Sequence, residues 1–190
     1  MKTLLIFLVI PSMLYSITPE KNVTCLKGSL ISVAYLFLKN DHYSFAIEKH
    51  VNSNGYQIGF LSTEISDDYN FSVSKQIIPE FRRYINSSGF FVGAYSKIAK
   101  LEESDYMQYD EHGNILPPKQ ILLSKYTIAN LAFGPSFGYK KYLTKNILIE
   151  AGAGVGGKIE LSKEVEFGGT SNEKKIKLDG IFQINAGYVF

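Results

Sequence analysis

The sequence is poor in the residues on which several common classes of protein depend. It has one cysteine in 190 residues, so it cannot form an internal disulfide or supply a cysteine metal cluster. It has no tryptophan and six prolines, against sixteen glycines and thirteen each of tyrosine and phenylalanine. A net charge of +2 is too small for a basic nucleic-acid-binding surface. With 45% apolar and 20% charged residues, the chain is neither disordered nor collagen-like, and its length suits one domain.

No stretch of the sequence is long and apolar enough for a transmembrane helix. A positively charged start, a short apolar run over residues 4–10 and a small residue soon after it form the layout of a secretory signal peptide. That run is far below the ~18 residues that a spanning helix needs. We therefore predict a signal peptide over residues 1–16, a short periplasmic leader over residues 17–28 that contains Cys25, and a domain over residues 29–190.

The domain shows a repeated alternation of apolar and polar residues, which is the pattern of β-strands with different surroundings on their two faces. In Ile176–Phe190 the even-numbered positions are mostly apolar and the odd-numbered ones mostly polar or small. Seven earlier segments read as strands in the same way. The eight predicted strands are Ser29–Leu38, His42–His50, Gly55–Ser62, Phe71–Tyr84, Gly89–Leu101, Tyr126–Lys141, Asn146–Leu161 and Ile176–Phe190.

Short and long connections alternate from the second strand onward. The short turns are Val51–Asn54, Asn86–Ser88 and Tyr142–Lys145, and the longer polar connections are Thr63–Asn70, Glu102–Lys125 and Ser162–Lys175. An even number of strands, with short turns at one end and long loops at the other, is typical of outer-membrane barrels. The sequence therefore predicts an all-β fold, an eight-stranded antiparallel up-and-down transmembrane β-barrel in the bacterial cell outer membrane.

Two soluble all-β folds compete with this interpretation. A lipocalin-like barrel also has eight strands, but it points its apolar side chains inward around a ligand. A sandwich buries one face of each of its two sheets. Here the face opposite the apolar one is rich in glycine and charge, which fits the interior of a narrow membrane barrel better than the surface of either soluble fold.

The end of the chain resembles a known signal. Its last six residues, NAGYVF, place Tyr188 two positions before the terminal Phe190, as in the signal read by the outer-membrane barrel assembly machinery. The segments IPEFRRY at 78–84 and GFFVGAY at 89–95 look like features of small, uncharacterised outer-membrane barrels of Bacteroidota. The architecture is also similar to OmpX and to the OmpA membrane domain. This resemblance implies a fold, a location and an assembly partner, and it implies no activity.

Strand parity directs a set of polar side chains into the predicted lumen, at a similar height near the short turns. Charges in so narrow an interior have to be paired, because an unpaired buried charge costs several kcal/mol. We expect a salt-bridge layer that plugs the barrel, in preference to a proton or ion path. Arg83 and Lys49 should face outward near the short turns, and Lys75 also reads as outward. The predicted lumen cluster is Glu48, Glu80, Arg82, Lys140, Glu150 and Asn185.

Three motifs suggest chemistry. The glycines of residues 152–157 match G-x-G-x-x-G, but an alternating segment follows them in place of a helix, so we expect them to make room for large neighbours. His42 and Ser44 form a His-x-Ser pair that could serve lipid acyl hydrolysis, as in outer-membrane lipid A deacylases. The acidic residues of 102–111 match no calcium loop and read as a solvated surface run.

These observations favour a monomeric outer-membrane protein that is not an enzyme and has no cofactor, metal or nucleic-acid partner. It would contact outer-membrane lipid along its sides. Its predicted loops, residues 102–125 and 162–175, would carry any interaction with an extracellular ligand, since loops on a rigid scaffold are the usual carriers of recognition. A lipid acyl hydrolase and a small pore remain the alternatives.

Overall fold

The computed structural model describes residues 22–30, 41–85, 89–107, 110, 112, 117, 121–167 and 177–190. Within these residues the chain forms eight antiparallel strands in up-and-down order, and pairing of the last strand with the first closes the sheet into a ring. No helix in this part of the chain is long and apolar enough to span a membrane. The strands are β1 (Asn22–Ser29), β2 (Asp41–Val51), β3 (Asn54–Ser66), β4 (Asn70–Tyr84), β5 (Phe90–Tyr106), β6 (Leu122–Tyr142), β7 (Ile147–Phe167) and β8 (Lys177–Val189).

The first strand begins earlier than predicted. β1 occupies Asn22–Ser29, so the assignment of a leader over residues 17–28 was wrong for most of that segment. The predicted strand Ser29–Leu38 contributes only its first residue to β1, and positions 31–38 lie outside the described residues. The predicted signal peptide, residues 1–16, also lies outside them.

β1 escaped the sequence analysis because its alternation is weak. Leu26 is its large outward apolar side chain, with Thr24 and Gly28 as outward neighbours, while Cys25 and Lys27 are buried inside. The inner face of this strand carries a cysteine and a lysine, so it is neither consistently apolar nor consistently polar and gives no clear alternation with the outer face. Pairing with β2 on one side and β8 on the other holds this segment in the sheet, and neither pairing is visible in the local sequence.

The connections at one end of the ring are shorter than predicted, because polar strands were read as loops. β5 continues to Tyr106, β6 starts at Leu122 and β7 continues to Phe167, which removes much of the predicted loops 102–125 and 162–175. Strands that have polar residues on both faces show no apolar alternation. Cross-strand pairs support them instead, such as Lys125 Nζ with Glu166 Oε2 at 2.6 Å.

The connection between β3 and β4 is also tighter than the predicted loop Thr63–Asn70. Only residues 67–69 separate the two strands. The Asp67 carboxylate accepts hydrogen bonds from the backbone N–H groups of Tyr69 and Asn70, at 2.8 and 2.6 Å, which stabilises the turn. Of the predicted short turns, those after β2 and β6 are confirmed, and Asn86–Ser88 lies outside the described residues.

The two faces of the sheet differ sharply in polarity. Large apolar side chains point outward and remain exposed, for example Phe45 at 48%, Phe137 at 61% and Phe182 at 65%. The interior holds charged side chains such as Arg82 and Lys140, both at 0% exposure. The ring therefore buries its charges and exposes its apolar surface, which is the reverse of the usual distribution in soluble proteins.

Glycines on the inner face leave room for aromatic rings from β5. A Cβ atom on Gly138 would lie 2.5 Å from the Phe91 ring, and one on Gly154 would lie 2.8 Å from the Tyr95 ring. The run 152–157 lies inside β7, with no helix after it, so the packing interpretation of its G-x-G-x-x-G pattern is supported and the dinucleotide one is not.

Gly138→Ala should destabilise the fold. The Phe91 ring has little space to retreat, since it packs against the Arg82 guanidinium at 4.3 Å, and the added methyl group would also meet a backbone oxygen of Ala151 at 2.5 Å. We expect a loss of about 1–3 kcal/mol in the free energy of unfolding, measured by denaturant titration. Gly28→Ala is the matched control, because its Cβ would have no neighbour within 4 Å. Equal losses in the two variants would contradict this account of the interior.

Candidate functional site

A network of buried charges fills the ring near one end. We call the end that holds the connections after β2 and β6 and the terminal Phe190 the turn end, and the opposite end the loop end. The residues come from β1, β2, β4, β6 and β7, and alternation turns each of them inward. The interior charge network consists of the cations Lys27, Arg82 and Lys140 and the carboxylates Glu48, Glu80 and Glu150, all at most 4% exposed.

Arg82 bonds to all three carboxylates of the network. Its Nη1 atom lies 3.2 Å from Glu48 Oε2 and 2.8 Å from Glu150 Oε2, and its Nη2 atom lies 2.7 Å from Glu80 Oε2. The guanidinium also stacks over the Phe91 ring. A planar fork with several donors suits this position, because one side chain on β4 has to reach partners on β2 and β7 as well as on its own strand.

Two lysines supply the remaining positive charge around Glu48 and Glu150. Lys27 Nζ lies 2.5 Å from Glu48 Oε2 and 2.9 Å from Glu150 Oε2. Lys140 Nζ lies 2.7 Å from Glu48 Oε2 and 3.7 Å from Glu150 Oε2. Glu48 on β2 and Glu150 on β7 are therefore each shared by all three cations.

The second oxygen of Glu48 contacts an aromatic pair. The Tyr84 hydroxyl donates to Glu48 Oε1 at 2.7 Å, and His50 Nε2 lies 2.8 Å from the same oxygen. His50 Nε2 is also 2.8 Å from Lys140 Nζ. One ring nitrogen can donate to the carboxylate or accept from the ammonium group, so the histidine tautomer decides which of the two bonds forms.

Amides and a hydroxyl occupy the remaining positions around Glu80. The Gln57 and Gln183 amides donate to Glu80 Oε2 at 3.2 and 3.1 Å, and the Ser136 hydroxyl donates to Glu80 Oε1 at 2.7 Å. Asn185 donates to Glu150 Oε1 at 3.3 Å. These bonds satisfy carboxylate oxygens that the cations do not fully occupy, as buried polar groups require.

An apolar cluster closes the interior at the turn end. Cys25, Tyr142, Leu148 and Val189 are buried against one another, with Val23 packed beside them. Cys25 is thus a core residue of β1, and the interpretation of it as a thiol in a leader was wrong. The network lies between this apolar layer and a second ion pair toward the loop end, where Lys97 Nζ lies 2.6 Å from Asp179 Oδ2.

The structure brings together all six residues of the predicted lumen cluster. Glu48, Glu80, Arg82, Lys140, Glu150 and Asn185 are buried and connected by the bonds given above. Sequence reasoning missed Lys27, which was assigned to the leader, and it overlooked His50, Gln57 and Tyr84. Parity was the available signal for His50 and Tyr84, which lie two positions from the predicted inward residues Glu48 and Arg82, whereas no inward residue was predicted on β3 to indicate Gln57.

Outward positions also agree with the predicted parity. Arg83 is exposed and donates to Asn54 Oδ1 at 3.2 Å. Lys75 is exposed, and the pairing of β4 with β3 and β5 keeps its register on both sides of this residue, so no bulge reverses its direction. Tyr188 and Phe190, the residues of the predicted assembly signal, both face outward with ring centroids 6.2 Å apart.

His42 and Ser44 line a common cavity of about 260 Å³ nearer the loop end. His42 Nδ1 lies 3.0 Å from the Thr63 hydroxyl oxygen, so a hydroxyl group occupies the position where a catalytic triad would have a carboxylate. The described residues contain no group of three or more histidine, cysteine, aspartate or glutamate side chains that could hold a metal ion.

Comparison with family models, with curated proteins and with solved structures finds no match to this chain.

Arg82→Ala should lower the free energy of unfolding by about 3–5 kcal/mol, because breaking a buried ion pair leaves its partner charge uncompensated. Glu80 would lose its ion-pair partner, while Glu48 and Glu150 would keep their lysines. Arg83→Ala is the neighbouring control, and the exposure of its side chain predicts almost no change. The measurement is the unfolding midpoint in detergent or lipid. A larger effect at Arg83 would show that the side chains of β4 face the opposite way.

Proposed function

We propose that this chain is an integral β-barrel of the bacterial outer membrane with a structural or surface-interaction role. The carrying observation is the combination of a buried, paired charge network inside the ring with a continuous apolar surface outside it. Exposing this surface to water would cost free energy in proportion to its apolar area, whereas contact with lipid acyl chains carries no such cost.

The height of the outer apolar surface supports this proposal. On β4 the outward side chains between Lys75 and Arg83 are Ile77, Pro79 and Phe81, and the segment is nine residues long when the two charged residues are included. A tilted strand needs about 9–11 residues to cross the hydrocarbon core. On β5, the outward positions from Phe90 to Lys100 bound a stretch of eleven residues.

Charged and aromatic side chains border the apolar surface at both ends. Lys49 and Arg83 face outward at the turn end, where their stems can extend toward headgroups, and the rings of Phe90 and Tyr139 pack there at a tilt, with centroids 4.7 Å apart. Lys75 and Lys100 face outward toward the loop end. Two polar borders separated by one membrane thickness are expected of a spanning barrel.

The interior favours a plugged barrel over a pore. The charge network, with the amides that donate to it, and the apolar cluster at the turn end occupy adjacent levels of the lumen. An eight-stranded barrel is only wide enough for its own side chains. A rigid, closed cylinder leaves the loop end as the part suited to recognition, where β5, β6 and β7 continue beyond the apolar surface as a polar sheet.

The last strand supports the proposed assembly route. Phe190 exchanges backbone hydrogen bonds with Thr24 of β1, at 3.0 and 3.2 Å, and its ring stays outside the ring of strands. An outward aromatic residue at the end of the closing strand is accessible to the assembly machinery before closure. We propose that Tyr188 and Phe190 form that recognition element.

The decisive experiment is refolding into liposomes, followed by gel migration with and without boiling. We expect the protein to resist extraction by carbonate and urea, and to migrate differently when unboiled, because the closed sheet survives in detergent. The matched control is a variant with an outward charge in mid-surface, Ile58→Lys, at the position that pairs with Pro79, midway between Lys75 and Arg83. It should impair insertion, since a lysine at the bilayer midplane costs about 2–4 kcal/mol on a barrel. A protein that stays soluble and heat-insensitive would overturn the proposal.

An acyl hydrolase is the second candidate, because His42 and Ser44 line one cavity. Histidine would act as the base and serine as the nucleophile toward an ester of an outer-membrane lipid. Mass spectrometry of lipid A from cells with and without the protein separates the two candidates. We expect identical lipid A profiles, and a deacylated species that disappears on Ser44→Ala would favour the enzyme.

A further inference from the structure

An apolar groove of about 490 Å³ runs across the outer surface of β2, β3, β4 and β5. Backbone register orders the side chains that line it into rows. The pairs Phe45–Phe60, Phe60–Ile77 and Ile77–Ile98 are direct cross-strand partners, so these four residues form one apolar row, the acyl row. The rings of Phe45 and Phe60 stack at 4.9 Å, and all four side chains face away from the interior charge network.

The next row toward the loop end contains amines and hydroxyls. Register pairs Tyr43 with Ser62, Ser62 with Lys75, and Lys75 with Lys100, and we call this the amine row. Lys75 and Lys100 are opposite one another on the same face, an arrangement that destabilises a strand pair unless an anion lies between them. Lys100 donates to Glu102 at 2.7 Å, which offsets part of this repulsion.

A third row lies two positions further along each strand, about 7 Å beyond the amine row. Register pairs Asp41 with Glu64, Glu64 with Val73, and Val73 with Glu102, so three of its four residues are carboxylates, and we call it the carboxylate row. Asp41 and Glu64 are exposed. The outer surface therefore changes from apolar to cationic to anionic within three successive rows.

We propose that this groove binds one zwitterionic phospholipid, whose headgroup consists of a phosphate linked to a primary amine. This inference rests on the proposed membrane location and adds a lipid site to it. The acyl chain lies along the acyl row, the phosphate accepts hydrogen bonds from Lys75, Lys100 and the hydroxyls beside them, and the ammonium group pairs with Asp41 and Glu64. Along the lipid, the acyl chain is followed by the phosphate and then by the ammonium group, which is the order of the acyl row, the amine row and the carboxylate row.

Charge complementarity selects this occupant over a purely anionic lipid. The amine row carries two positive charges and the carboxylate row three negative ones, so an anion without an amine would meet uncompensated carboxylates beyond its phosphate. An ammonium group at that position turns the repulsion into attraction. A quaternary amine has no N–H donor, so a choline headgroup would bind more weakly than a primary amine.

Native mass spectrometry of the folded protein in detergent tests the site directly. The probes are phosphatidylethanolamine, phosphatidylcholine and phosphatidylglycerol with identical acyl chains, each added at the same concentration. We expect phosphatidylethanolamine to be retained most strongly. Lys75→Gln should weaken its binding about two- to fivefold, the ratio that an exposed charge pair supports, and should also weaken binding of phosphatidylglycerol.

Glu64→Gln should weaken the binding of phosphatidylethanolamine and leave that of phosphatidylglycerol equal or stronger. Lys49→Gln removes an outward lysine near the turn end, outside the groove, and should change neither lipid. Equal retention of the three lipids, or equal effects of Lys75→Gln and Lys49→Gln, would overturn the lipid site while the liposome result for the barrel stands. Failure to insert into liposomes would overturn the barrel as well.

Discussion

The charges of the interior charge network have to balance, because all six side chains are almost completely buried. Three cations face three carboxylates, and the arrangement is centred on Glu48 and Glu150, each of which contacts all three cations. Shifting any strand by one residue would move its charged side chain to the outer face and leave its partners unpaired. Buried ion pairs contribute little net stability by themselves, but losing one partner is costly, so the network acts mainly on register. The interior thus fixes how the strands align, and the alignment in turn sets which residues appear outside.

The outer surface follows from the same alignment. Once β2, β3, β4 and β5 are in register, their outward residues form continuous rows, apolar toward the middle of the strands and charged toward the ends. The outward side chains do not contact the charge network. A slip of one residue would nevertheless turn them inward and turn the network residues outward. One constraint therefore produces both a filled lumen and an ordered surface.

Much of this arrangement was predictable from single strands. Alternation in β7 and β8 identified the outer face, and parity alone separated the neighbours Arg82 and Arg83, one buried and one exposed. Lys27 was not predictable in this way, because its strand is recognisable only by its partners on either side. The polar ends of β5, β6 and β7 were also missed, since a strand with two hydrated faces has no apolar period to detect. Alternation in a sequence reveals a strand only where its two faces have different surroundings, so it does not detect a strand whose two faces are in the same environment.

The seam between β1 and β8 has a consequence for how the chain reaches its final form. Each of the other strand pairs joins neighbours in sequence, whereas this one brings Cys25 beside Val189 across almost the whole chain. Lys27 crosses from β1 to Glu48 on one side and to Glu150 on the other, so the interior becomes electrically neutral only when the first strand is in place. Without β1, the two cations Arg82 and Lys140 would face three carboxylates, so an open sheet of the other seven strands would hold an excess negative charge in this network. Closing the ring and neutralising its interior therefore depend on the same strand, because β1 both completes the hydrogen-bond ladder with β8 and supplies the cation Lys27.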